Sequence, residues 1–184
     1  MKYTNDVVMD AALDKLAEAD GNCVCSAQPA TYYEAVDPPA WAATTDYAIG
    51  DAVRPTSRNG FVYEVTADAG VSGASEPVSW PTTPGNTVVD GGITWTCRNN
   101  YSLAQGVLAG GDFTKANGDV SGRKTTLAAK TGLSIHTSGT ADHVATIDDV
   151  TKTLLDVTTV TAQALTSGGT VDTGAWDHEI QDAT

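Results

Sequence analysis

No apolar run in this 184-residue chain approaches the roughly 20 residues that a membrane-spanning helix needs. A secretory leader is equally hard to find, because Asp6, Asp10 and Asp14 interrupt the stretch that would have to be uncharged. The expectation is a protein synthesised in the cytoplasm, without a membrane partner. Basic residues are scarce too: ten Lys and Arg stand against 23 Asp and Glu, a net charge of −13. Such a surface repels phosphate backbones and anionic headgroups, which argues against nucleic acid as a partner. Only three cysteines occur, Cys23, Cys25 and Cys97, without the paired CxxC spacing of a zinc site. Cys23 and Cys25 would share one strand face, where bridging them strains the backbone. The plainer reading is three reduced core residues; the other is a disulfide from Cys97 to one of the pair, or between subunits. GxSxG, HExxH, P-loop and dinucleotide fingerprints are all missing. The chain reads as a non-enzyme with no cofactor.

What is present is a helix followed by β structure. Thr4 or Asn5 can cap a first helix, Asp6 suits its positive end, and Gly21 is expected to stop it. Val8, Met9, Ala12, Leu13 and Leu16 form an apolar stripe, while Asp10, Asp14, Lys15 and Glu18 make a face expected to be merely solvated. Cys23–Cys25 is a short strand candidate, and Asp37-Pro38-Pro39 a stiff stop. Composition then shifts: Trp41, Trp80 and Trp95 fall in one stretch rich in Pro and Gly, closed by the turn-forming Asn99-Asn100. Residues 41–98 therefore read as a small β module inserted into a host made of 1–40 and 99–184, as exposed loop tips allow.

Within the module, Tyr47–Arg54 and Gly60–Thr66 are predicted to pair through Arg58-Asn59-Gly60, with Ile93–Arg98 as a third strand after Asp90-Gly91-Gly92. Asp68–Val89 reads as an ordered loop wrapping the sheet. In the host, strands are predicted over Arg123–Lys130, Gly132–Thr137, Ala141–Asp148, Thr153–Thr161 and Val171–Ile180. Short Thr- and Val-rich strands with Gly-rich turns make the fold mainly β, an antiparallel sandwich or barrel host with one N-terminal helix.

Chemistry-bearing residues are few. His143 follows Asp142 and His178 follows Asp177, but successive strand residues point to opposite faces, so neither pair is expected to form a base-and-orienter unit. Asp148-Asp149 lacks the six or more oxygens of a calcium site and reads as a turn; no metal site is expected. The module's aromatics have two readings. Trp41, Tyr63 and Trp95 can form its core, since so small a unit has little else to bury. Trp80, in a Pro-flanked loop, and Tyr47 are then the residues left to stack on a glycan.

The pattern Trp41…Tyr47-x-x-Gly50-Asp51-x-Val53…Phe61-x-Tyr63…Gly70…Gly73…Glu76-Pro77…Trp80-Pro81…Asp90-Gly91…Trp95 resembles the small β modules of tailed-bacteriophage structural proteins. Those are similar in turn to chitin- and cellulose-type carbohydrate-binding modules, from which Asp68–Val89 departs by its length. The host also resembles small phage virion proteins. That likeness rests on Tyr3-Thr4-Asn5-Asp6-x-Val8-Met9-Asp10-Ala11-Ala12-Leu13-Asp14, Gly118-Asp119-Val120-Ser121-Gly122-Arg123-Lys124, Gln163-Ala164-Leu165-Thr166-Ser167-Gly168 and Ala175-Trp176-Asp177-x-Glu179-Ile180. The resemblance implies a structural protein on the surface of a phage particle, a capsid decoration or cement subunit, with major capsid or other virion proteins as partners. A tail, neck or baseplate component, or a carbohydrate-binding adhesion module for host-surface glycans, is the alternative. It also implies a homo-oligomer, a trimer, for which the N-terminal helix and the strand near Trp176 are the expected contact elements.

Overall fold

The structure, a computed structural model, describes residues 4–182. It is mainly β, with 47% strand and 10% helix, several antiparallel sheets and no closed barrel. In chain order the first elements are α1 (Asp6–Leu16), β1 (Gly21–Cys25), α2 (Tyr32–Ala35), β2 (Asp46–Tyr47), β3 (Ala52–Val53), β4 (Phe61–Ala67) and β5 (Gly70–Val71). They are followed by β6 (Thr87–Asp90), β7 (Ile93–Asn99), β8 (Ser102–Val107), β9 (Phe113–Asn117), β10 (Arg123–Leu127) and β11 (Lys130–Ser134). The last are β12 (Gly139–Asp148), β13 (Thr153–Leu165), β14 (Thr170–Thr173) and β15 (Trp176–Ile180). The chain divides into two compact units, Pro29–Ser102 and the remainder on either side.

The unit formed by residues up to Gln28 and from Leu103 onward holds three sheets, ordered β13-β12-β1-β8, β15-β10-β9 and β11-β14. All five residues of β1 are buried, which explains its Cys-Val-Cys run: a central strand with both faces covered needs no polar alternation. Val24, Val144, Ala141 and Leu165 pack against Leu133, Ile135 and Val171. A second cluster joins Ala19, Leu108 and Leu127.

Several expectations change here. Asn5 caps α1, its side chain accepting from the Val7 N–H at 2.9 Å. Gly21 does not end the helix, which stops at Leu16. Gly21 opens β1 instead, where an added Cβ would lie 2.6 Å from the Ile147 side chain. Only Met9 and Leu13 of the expected stripe are buried, and Val8 is 62% exposed. The acidic face of α1 is not simply solvated. Asp10 accepts from the Arg123 guanidinium (2.8 and 3.3 Å), and Asp14 from the Lys115 ammonium at 2.6 Å.

The expected strand 123–130 ends at Leu127 and the expected 132–137 begins early, as β11 at Lys130, while the expected strand 171–180 breaks in two. At both places the chain leaves one sheet for another: β10 pairs with β9 and β15, whereas β11 pairs with β14. Gly132, expected in a turn, has φ +71° within β11, where the register shifts. Strands β8 and β9 were not foreseen, since SLAQGV and FTKAN carry few β-branched residues.

The unit Pro29–Ser102 contains a sheet ordered β3-β4-β7-β6 and the short pair β2-β5. It is wider than 41–98 at both ends. The Arg54 N–H donates to the Pro39 carbonyl at 3.0 Å, and Asp37 receives both terminal nitrogens of Arg58 at 2.7 Å. Asn100 donates to the Tyr33 and Val36 carbonyls. The Pro-Pro segment therefore packs as part of this unit. Tyr47–Arg54 is two strands, divided at Gly50 (φ +89°). The ends of the Asp68–Val89 stretch are strands β5 and β6 rather than loop.

Candidate functional site

The expected ligand-stacking residues lie in Pro29–Ser102, whose core is Trp41, Val53, Tyr63, Val65, Ile93, Trp95 and Cys97. Alternation in β4 and β7 aims Tyr63 and Trp95 to one side of the sheet, and both are fully buried. Burial pushes the Tyr63 phenol up to about 12; its hydroxyl donates to the Pro81 carbonyl at 2.8 Å.

Trp80 is half-buried against the core. Its ring lies 4.3 Å from that of Tyr63 and 6.2 Å from that of Trp95, and its indole N–H donates to Glu76 at 3.0 Å. Tyr47 meets Trp95 edge-on at 5.0 Å, and its hydroxyl accepts from the Ala42 N–H. Both rings are partly buried against the core. Each is thus brought to Trp95, and neither makes a ring contact with the other.

Two carboxylates organise these rings. Asp90, 5% exposed, accepts from the indoles of Trp41 (2.7 Å) and Trp95 (3.1 Å) through Oδ2 and from the Gly73 N–H (2.9 Å) through Oδ1. The sequence places Asp90 in a turn and in the module's pattern but gives it no partner; the signal available was one acid near two tryptophans expected in the core, whose N–H groups need acceptors. Glu76 accepts from Trp80, from the Thr56 N–H at 2.9 Å and from the Thr56 hydroxyl. Burial raises its carboxyl pKa, but these hydrogen bonds outweigh that and hold it below the usual glutamate value. This arrangement anchors the loop that carries Trp80.

In the other unit, Asp142 and His143 do bond, Nδ1 to Oδ1 at 2.6 Å. The strand alternation that should separate them fails at a bulge between Ala141 and His143. His178 Nε2 accepts from the Trp176 indole N–H at 3.1 Å and lies 2.9 Å from Asp156, rather than pairing with Asp177. Asp177 instead takes Lys124 at 2.9 Å. Burial first, then the charge of Asp142, pushes the Cys25 thiol up to about 12, and burial also raises Cys97. Both are poor nucleophiles at neutral pH. Among the described residues, no group of three or more His, Cys, Asp or Glu side chains is placed to hold a metal ion.

A cleft of about 330 Å³ remains in this unit. Val24, Ala141 and Val144 line it together with consecutive residues of β13 (Thr158–Thr161) and of the β14–β15 segment (Val171–Trp176). Threonine, valine and alanine predominate in its lining, joined by Gln163, Asp172 and Trp176. The chain matches no protein-family model, and comparison with curated proteins and with solved structures returned no match.

Proposed function

We propose that the chain is a non-enzymatic structural subunit of a tailed-phage particle, a capsid decoration or cement protein that works in many copies against the major capsid protein. One observation carries this reading. Residues from several of the motifs that carry the resemblance meet in internal contacts. In one unit the Asp90 carboxylate gathers Trp41, Trp95 and the Gly73 backbone. In the other, Asp10 of the first motif meets Arg123 of the second, and Lys124 of the second meets Asp177 of the last. A motif spent on internal contacts serves the shape of a particle component. A ligand-binding motif would instead present its aromatic faces outward.

The test is co-sedimentation of the purified chain with capsid shells of the phage that encodes it. Saturable binding at a fixed ratio to the major capsid protein is the expected result. Binding to isolated tails alone would move the protein to the tail, neck or baseplate. Binding to neither would overturn the proposal.

A further inference from the structure

Two groups with opposite demands meet at one ring nitrogen. The Trp176 indole N–H lies 3.1 Å from His178 Nε2 and needs a lone pair there. Asp156 Oδ2 lies 2.9 Å from the same Nε2 and needs a proton there. A ring nitrogen carries one or the other. In this structure the indole donates, and Asp156 Oδ2 is buried with no hydrogen-bond partner among the described residues. A buried carboxylate oxygen left in that state is costly. Trp176 and His178 are two apart on β15 and share a face; Asp156 comes to them from β13. Thr125, opposite His178 in the β10–β15 register, is also fully buried, and its hydroxyl has no partner among the described residues.

The other charged groups around the ring have partners of their own. On β15, Asp177 takes Lys124 and the Thr126 hydroxyl, and Glu179 accepts from the Val120 N–H. On β10, Arg123 holds Asp10 of α1, and Lys124 holds Asp119 as well as Asp177. On β9, Lys115 holds Asp14 of α1. Asp156 is paired with no Lys or Arg among the described residues; the basic group beside it is His178. Both side chains keep some exposure, 23% for His178 and 18% for Asp156, so a solvent proton can reach them.

We infer that His178 is a proton-operated tie between two sheets: neutral, it accepts from Trp176; protonated, it leaves the indole and donates to Asp156. One solvent proton lands on Nε2, one N–H···N hydrogen bond breaks and one N–H···O bond forms. β13 belongs to the sheet β13-β12-β1-β8 and β15 to the sheet β15-β10-β9. Protonation therefore adds a charge-assisted link from one sheet to the other. Histidine is the side chain suited to make such a change between pH 5 and 8. The neutral state also fixes the tautomer: with Nε2 accepting, the proton sits on Nδ1, the minor form of free histidine. Trp176 lines the cleft, so the exchange of partners takes place at its wall.

The experiment is nitrogen-15 NMR of the full chain from pH 8 to pH 5, reading the histidine ring nitrogens and the tryptophan indole N–H signals. Trp176→Phe and His178→Gln identify the two signals by their loss. At pH 8 the expected form of His178 carries its proton on Nδ1 and a lone pair on Nε2. As the pH falls, Nε2 gains a proton, and the Trp176 indole N–H exchanges with solvent about tenfold faster in step, having lost its acceptor. In His178→Gln the indole signal should not change over this range. In Asp156→Ala, with no carboxylate to receive the ring proton, the changeover should move to lower pH by roughly one unit. A proton on Nε2 at pH 8, an indole that ignores the titration of His178, or an unmoved changeover in Asp156→Ala would each overturn the inference. Should a variant fail to fold, sequential assignment finds the same signals in the wild type. The tautomer at pH 8 and the coincidence of the two changes then decide.

Discussion

Asp90 shows how one side chain can decide a small unit. Two buried indoles and a backbone N–H converge on its carboxylate, and buried donors left without acceptors are costly. Asp90→Ala is therefore expected to destabilise Pro29–Ser102 by about 3–5 kcal/mol, from the loss of three charge-assisted hydrogen bonds and the orphaning of their donors. Tryptophan fluorescence during urea unfolding measures this, because Trp41, Trp80 and Trp95 all belong to that unit. A loss below about 1 kcal/mol, the scale of one ordinary neutral hydrogen bond, would show that the carboxylate does not hold the rings. Gly91 completes the turn beside it. Its φ is +61°, and an added Cβ would sit 2.6 Å from the Val71 carbonyl oxygen, so no other residue fits without a backbone shift.

Among the elements, those specified by local pattern were legible. Asn5 announces α1, and the Thr- and Val-rich β12–β13 hairpin turns where Asp148-Asp149 stood. What escaped depends on partners distant in sequence. The β14–β15 break is a change of sheet, which period-2 alternation does not register. Gly21 looked like a helix stop but is needed for close approach to Ile147. Asp10 and Asp14 looked solvated because Arg123 and Lys115 lie over 100 positions away. Of the site residues, Tyr47 and Trp80 read as rings left over for a ligand, because nothing in their local pattern shows that both pack against Trp95 and Trp80 also against Tyr63.

The carboxylates that tie elements together also set the acid response. Asp10 is held below the usual aspartate value chiefly by its hydrogen bond from Arg123, and Asp148 chiefly by the hydroxyl and N–H of Thr151. Asp112 is lowered in the same sense by Lys130. A folded-state pKa below the unfolded one contributes stability that is present above 3.8, the ordinary aspartate value, and lost as pH falls through the folded value. The urea midpoint of the unit containing α1 should accordingly be steady near neutrality and fall steeply once pH drops below 3.8. A midpoint that holds or rises in that window would show that these ties contribute nothing.

At the scale of the whole molecule, two units with separate cores imply separable folding. Pro29–Ser102 has eight acids and three bases, net −5, and the remainder 15 acids and seven bases, net −8. Joining Gln28 to Leu103 through a short Gly-Ser bridge should leave a soluble protein with one cooperative unfolding transition. Loss of the transition would mean that the two units share stabilising contacts.

The central claim is that this is a particle component used in many copies. Quantifying the chain against the major capsid protein in purified virions of the encoding phage tests it most directly. The account predicts on the order of hundreds of copies per particle, the multiplicity through which individually weak contacts act together. Absence of the chain from purified virions would contradict it.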